Sequence, residues 1–375
     1  MTSTTVFLYG TLLDPEHRKV VLGQSVDTRT ATLSDHAVVW DKNDRFPVLI
    51  DAPGQDVSGC LIDVDPDVLR RVEFYEAVFG YGPAEITVEA EENRLSAIAY
   101  LCDLQDLAGD RSFDLLEWRT QRGSGAIAGA AELMKGIDQT TADAAGRTYH
   151  SVLSRVWSYE LAQTAAAPAV IRSDKSSDDY AIIASTRSHA GFFALDQHVV
   201  RHPTFAGPTL EITREVTLGF DAALVLPYDP KRDLVMLVEQ FRAGPMARGD
   251  KNPWILEPVA GLIDYGETPQ QAALRETREE AGLELKELVQ ASAGYAAPGA
   301  TTEFHYLFVG IADLDPQTSG GTQFGVVEEG EDIRTHVLPL EDALELIETG
   351  EANVVPLQAL ILWVAAHKER LRALA

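Results

Sequence analysis

The chain has 375 residues, enough for two or three domains, and a hydrophobic content of 45% that supports sizeable cores. A formal charge of −27 excludes bulk electrostatic attraction to nucleic acid or to an anionic membrane, so neither is expected as a partner. Cys60 and Cys102 are the two cysteines, both in apolar strand-like runs, which predicts buried thiols in a reducing cytosol. The opening MTSTTVFLYG lacks a basic segment and no run reaches about 18 apolar residues, so a cytoplasmic protein without signal peptide or membrane span is expected.

Residues 1–103 read as a small, mostly β domain. Thr5 to Tyr9 is an apolar strand that exits through Gly10 into Leu12 and Leu13, and Ala37 to Trp40, Ser58 to Val64, Ala84 to Ala90 and Leu95 to Leu101 are further strands. Asp65 to Tyr75 predicts a helix, with Pro66 in its first turn and Val68, Leu69 and Val72 on one apolar face. Tyr9-Gly10-Thr11-Leu12 after a first strand resembles the gamma-glutamylcyclotransferase-like (AIG2-like) family, a small β-barrel-like fold. The resemblance implies that this loop offers backbone N–H groups to a substrate carboxylate. It also implies that Glu76, in Glu73-Phe74-Tyr75-Glu76-Ala77, is the acid/base that deprotonates an attacking amine. Glu73 and Ala77 depart from the family's usual Asp and Gly, so a second, cyclotransferase-like activity and a binding-only module are both open readings.

Residues 104–168 read as a helical connector, with helices over Leu115 to Thr120, Ala126 to Lys135 and Thr141 to Gln163. Gly123, Gly125 and Gly129 follow no strand and have the wrong spacing for a dinucleotide or phosphate loop. Ala165 to Pro168 is a short linker.

From residue 169 to 375 a second domain begins. Strands are expected over Tyr180 to Ser185, Phe192 to Arg201, Thr209 to Thr217, Ala222 to Tyr228, Leu234 to Gln240, Ala291 to Tyr295, Phe304 to Ile311 and Thr335 to Leu338, with helices over Glu341 to Thr349 and Pro356 to Leu374. Between them lies GLIDYGETPQQAALRETREEAGL, Gly261 to Leu283. Thr268, Pro269 and Gln271 make a capping box with proline at the first helical position, and Gly282 ends the helix. Glu276, Glu279 and Glu280 share one helical face, with Cβ atoms about 5–6 Å apart. Bare carboxylates at that range repel by roughly 3 kcal/mol at an effective dielectric of about 20, so the cluster is expected to take a hard divalent cation, Mg²⁺ or Mn²⁺.

This stretch resembles the Nudix hydrolase box, G-x5-E-x7-R-E-U-x-E-E-x-G-U. Gly261, Glu267, Arg275, Glu276, Glu279, Glu280, Gly282 and Leu283 occupy its fixed positions, while Thr277 replaces an aliphatic residue at a small expected loss of packing. The resemblance implies a Nudix α/β/α sandwich, making the whole chain an α+β/α/β multidomain protein. Pro298, 15 positions after Leu283, together with Glu239-Gln240-Phe241-Arg242 and Glu329-Gly330-Glu331-Asp332, resembles the ADP-ribose pyrophosphatase branch. That implies Mg²⁺-dependent hydrolysis of ADP-ribose to AMP and ribose 5-phosphate, with another nucleoside diphosphate sugar as the alternative. The branch further implies that the Ala260 carbonyl, Glu276, Glu279, Glu280 and Glu331 serve the metal and that Glu329 is the general base, with Glu280 also catalytic. Arg214, Arg242 and Glu303 would contact phosphates or ribose, and Phe192 or Phe193 would stack on adenine in a homodimer.

Overall fold

Alternation along the first strands sends successive side chains to two different cores, and this builds the N-terminal barrel. The computed structural model describes residues 3–102, 107–318, 323–324 and 332–374. Strands β1 (Thr4–Leu8), β2 (Arg29–Asp41), β3 (Pro47–Val64), β4 (Tyr81–Ala90) and β5 (Asn93–Cys102) form a closed ring in the order β3-β1-β5-β4-β2, with β2 returning to β3. All pairings in the ring are antiparallel except β1 with β5, where Val6 lies opposite Ile98. Phe7, Leu33, Leu49, Leu61, Val88 and Ala99 fill one core. The intervening Val6, Leu8 and Ile62 turn the other way, onto α1 (Pro15–Leu22) and α2 (Pro66–Val78). Gly59 makes room for the inner layer, since a Cβ there would lie 2.4 Å from the Phe7 ring.

Both helices start as composition dictates. Asp14 accepts from the N–H groups of Glu16 and His17, and Asp65 accepts from Val68, each followed by proline at the first helical position. Beyond the ring, β6 (Ala108–Ser112) adds to β2, a strand not foreseen in the connector. The connector proper is helical: α3 (Leu115–Trp118), α4 (Ser124–Met134), α5 (Ala142–Arg147) and α6 (Tyr149–Thr164). The single helix expected over Thr141 to Gln163 is broken at Thr148. There Gly146 approaches α2 so closely that a Cβ would sit 2.6 Å from the Val78 carbonyl oxygen.

The chain divides into two compact units, residues 1–156 with 166–217, and 157–165 with 218–375. The sheet β7 (Ala181–Ala190), β8 (Ala194–Pro203) and β9 (Thr209–Leu218), grouped by sequence with the C-terminal domain, falls almost wholly in the first unit.

In the second unit a mixed sheet centres on β10 (Asp221–Asp229) and β11 (Leu234–Phe241). The next elements are α7 (Ala243–Arg248), β12 (Trp254–Glu257), β13 (Val259–Leu262), α8 (Pro269–Ala281), β14 (Glu287–Tyr295), β15 (Phe304–Ile311), β16 (Gln323–Phe324), β17 (Ile333–Pro339), α9 (Leu340–Thr349) and α10 (Val355–Arg372). The strand order is β14-β15-β10-β11-β17-β16, with β12 on β11 and β13 on β10. Leu224, Leu226, Tyr228, Val235 and Leu237 pack with α9 and α10, whereas Ala223, Val225, Met236 and Val238 pack with Ala272, Ala273 and Ala281 of α8. Strands β12 and β13 are separated by Pro258, which has no N–H to donate to a ladder. Among the described residues, no helix is long and apolar enough to cross a membrane.

Candidate functional site: the box helix and the barrel carboxyl

Helix α8 forms as its sequence demands. Thr268 Oγ1 accepts from Gln271 N–H, Gln271 answers on the Thr268 N–H, and Gly282 closes the helix in the left-handed region at φ 61°. Thr277 is fully buried, and its hydroxyl donates to the Ala273 carbonyl at 2.7 Å. Its polar atom is thus satisfied inside the helix.

The carboxylates of α8 are held at β13. Glu280, 2% exposed, accepts from the Ala260 N–H at 3.0 Å. Glu276 lies across Gly261, where an added Cβ would fall 1.9 Å from its carboxyl carbon. Arg275 sits among them, donating to Glu267 at 2.9 and 3.1 Å, to Glu276, to Glu279 at 3.3 Å and to the Leu262 carbonyl at 3.0 Å. Hydrogen bonding to Glu267 comes first among the causes that hold this guanidinium above its ordinary range. The repulsion expected to make a cation obligatory is thus offset within the protein. Among the described residues, no three His, Cys, Asp or Glu side chains converge as a ready-made metal cage. The donor chemistry still suits a hard divalent ion: a strand carbonyl at Ala260 and carboxylates at Glu276 and Glu280, oxygen throughout. Glu279 is the most open of the three, its side chain 43% exposed.

Arg242, at the end of β11, pairs with Glu257 of β12 at 2.7 Å. Glu303 pairs with His305 at 3.0 Å. Arg214 is exposed on β9, and Phe192 and Phe193 stand in the β7–β8 turn, so these three belong to the first unit. Glu329 and Glu331 lie outside the described residues.

Two contributors were not singled out from sequence. Trp157, on α6, donates its indole N–H to the Glu267 carbonyl at 2.7 Å and meets the Tyr265 ring at a tilt, 5.3 Å between centroids. Glu257 gains its role from the β11–β12 register, which places it opposite Val238. Both are set by long-range pairing that leaves no local periodicity.

A second cluster sits in the barrel. Gly10 takes φ 61°, and a Cβ there would meet Pro47 at 2.6 Å, so the loop after β1 requires glycine. Tyr9 donates its phenol to the Tyr100 carbonyl at 2.6 Å, and Tyr81 donates to the Pro47 carbonyl at 2.5 Å. Glu76, in the last turn of α2, is close enough that its charge helps to hold the phenols of Tyr9, Tyr75, Tyr81 and Tyr100 up, with burial the larger cause in each. Burial pushes the Glu76 carboxyl up to about 8. Leu12 is buried beside Gly10 in the same 3₁₀ turn, which carries Thr11 between them.

These two sites correspond to two matched segments. The model of the gamma-glutamyl cyclotransferase, AIG2-like family matches residues 6–120, and the NUDIX domain model matches residues 220–358. An ADP-ribose pyrophosphatase of Escherichia coli (strain K12) is 38% identical over 200 residues, covering 52% of this chain and 92% of that protein.

The chain belongs to the Nudix family, in its ADP-ribose pyrophosphatase branch.

This Nudix protein carries an AIG2-like domain ahead of that segment. An ADP-ribose pyrophosphatase of Haemophilus influenzae is 37% identical over 181 residues, 48% of this chain and 82% of the relative. A GDP-mannose pyrophosphatase of Escherichia coli O1:K1 / APEC is 35% identical over 146 residues, 39% of this chain and 73% of the relative. A solved structure described as an ADP compounds hydrolase aligns at TM-score 0.41 and 21% identity, over 53% of this chain and all of that one.

Proposed function

We propose that this Nudix protein hydrolyses ADP-ribose to AMP and ribose 5-phosphate, with Mg²⁺ or Mn²⁺ held by the Ala260 carbonyl, Glu276 and Glu280. The observation that carries the reading is the Glu280–Ala260 tie beside the Arg275 hub, in a chain whose ADP-ribose pyrophosphatase relatives are matched over most of their length. Divalent cations bound there would neutralise the diphosphate and lower the pKa of a water.

The protein's own groups do the rest. Arg275 keeps Glu267 and the box loop fixed, so the carboxylates of α8 stay aimed at β13. Arg242 offers a guanidinium to a phosphate oxygen, oriented by Glu257. Glu329 takes the proton of the attacking water, and Glu331 and Glu279 support the metal. Arg214, Glu303 and the Phe192–Phe193 turn contribute substrate contacts. A homodimer through the C-terminal part belongs to the same reading, as does its division at residue 169 and an α/β/α layering. The 200 residues matched by the ADP-ribose pyrophosphatase exceed the Nudix-matched segment 220–358, which supports counting β7–β9 with the enzyme in sequence.

Assay of ADP-ribose, GDP-mannose and ADP-glucose with Mg²⁺, the phosphomonoester products dephosphorylated by an added phosphatase for a phosphate readout and also identified by mass, tests the reading. Preference for ADP-ribose with AMP as product is expected, and preference for GDP-mannose would transfer the assignment to another nucleotide sugar.

A second reading concerns the barrel, where the desolvated Glu76 carboxyl lies near Tyr9. A carboxyl of raised pKa is poised to accept an amine proton near neutral pH, which supports cyclisation of gamma-glutamyl amines to 5-oxoproline. Incubating the full chain with a gamma-glutamyl amine and finding no 5-oxoproline would leave the barrel as a binding module.

A further inference from the structure

Four charged side chains meet inside the first unit. Glu132 of α4, Arg155 of α6, Arg187 of β7 and Asp196 of β8 are all buried. Glu132 Oε1 receives Arg155 Nε at 3.3 Å and Arg187 Nη1 at 3.0 Å, and Arg187 forks onto Asp196 as well. Burial pushes the Glu132 carboxyl up, but Arg187, Lys135 and Arg155 together outweigh it and hold it below the usual range. The four charges sum to zero.

Arg155 also reaches the turn between β7 and β8. Its Nη1 donates to the Phe192 carbonyl at 2.7 Å and to the Gly191 carbonyl at 3.4 Å. Across the same turn the Gly191 N–H donates to the Phe193 carbonyl at 3.0 Å. The Phe192 and Phe193 rings meet edge to face, 5.0 Å between centroids, and remain 43% and 46% exposed. The connector backbone presses on the same hairpin: a Cβ at Gly136 would lie 2.7 Å from the Ala190 Cβ.

A buried ion cluster gains little stability over an apolar replacement of similar volume, so stability alone is a poor reason for it. Its distinctive product is position. A guanidinium fixed by Glu132 at one end holds two consecutive carbonyls of a three-residue turn at the other.

We propose that this cluster is a positioning device, in which Glu132 and Arg155 of the connector hold the Phe192–Phe193 turn in the shape that stacks on the base of a nucleoside diphosphate. Both residues lie between the segments matched by the two family models, which assign them nothing. The inference rests on the reading of Phe192 or Phe193 as a base contact.

The test uses the full chain, ADP-ribose as substrate and Mg²⁺ present. Phe192→Ala and Phe193→Ala come first. A rise in KM for either supports the base contact, and an unchanged KM for both overturns that reading and the inference with it. The double variant Glu132→Met with Arg155→Met removes one charge of each sign and leaves Arg187 on Asp196. It is expected to raise KM about tenfold with kcat within about twofold, at a melting temperature near that of the parent. Arg155→Lys, which keeps the charge but lacks the planar fork, is expected to raise KM by a smaller factor. An unchanged KM in both variants, with a phenylalanine variant impaired, overturns the positioning role alone. An equal fall of kcat and thermal stability without a KM effect also overturns it, because that is the signature of a merely structural cluster.

Discussion

The Ala260 N–H donates to Glu280 Oε2 at 3.0 Å, so the strand that offers a carbonyl and the helix that offers a carboxylate are locked together at one residue. Glu280→Gln keeps an oxygen able to accept that N–H but removes the negative charge. Folding is expected to persist, with Mg²⁺-dependent turnover of ADP-ribose falling on the order of a hundredfold or more. Circular dichroism and steady-state kinetics check both halves, and full activity in the variant would remove Glu280 from the site.

Arg275 offsets the charge of Glu267, Glu276 and Glu279 together. Replacing it by Met leaves these carboxylates facing one another without their counter-ion. A loss of roughly 1–3 kcal/mol is expected, the lower part of the range because the side chain is partly exposed. Urea unfolding measures it, and added Mg²⁺ is expected to recover part of the loss by binding the same oxygens.

Gly261 has no side chain because Glu276 occupies the space. Gly261→Ala puts a Cβ 1.9 Å from the Glu276 carboxyl carbon, so the carboxylate must leave β13. Activity is expected to fall on the order of a hundredfold, with a smaller effect on stability than in Arg275→Met. Parental kinetics in this variant would show that the position of Glu276 is unimportant to turnover.

Glu76 binds its proton more tightly in the folded barrel, up to about pH 8, than in the unfolded chain, whose ordinary value is 4.5. The folded state therefore holds more protons between those values. The stability this contributes is complete below about pH 4.5 and declines as pH rises toward 8, by on the order of 2 kcal/mol after discounting partial exposure. Glu76→Gln is expected to flatten that slope in unfolding experiments run from pH 5 to 9. Where 5-oxoproline forms, its rate is expected to climb through the same interval, since the base must first lose its proton.

Much of this molecule was legible because the relevant signals are local. The cap at Thr268, the stop at Gly282, the helix start at Pro66 and the strand over Phe304–Ile311 all follow from residue types within a few positions of one another. The expected strands of the barrel were too short. β3 runs from Pro47 to Val64 through a positive-φ Gly54, a residue that sequence reading treats as punctuation. The break at Thr148 was invisible because it depends on Gly146 meeting Val78, 68 positions earlier. The Glu132–Arg187 pair likewise joins residues 55 positions apart. At the box, the acidic face was readable from spacing, and the pairing of Arg275 with Glu267 and the glutamates is the one that the resemblance to the Nudix box implies.

The pairing of Val6 with Ile98 has a consequence for how the molecule comes into being. A ribosome must deliver almost a hundred residues before the first strand finds its parallel neighbour. Until then β1 can be laddered along β3 alone, with its other border bare and able to recruit a foreign strand. The barrel cannot assemble stepwise from its N-terminus. Its last seam is sewn by β5, the last of the five ring strands to be synthesised, so the growing chain passes through a form in which β1 keeps an open edge.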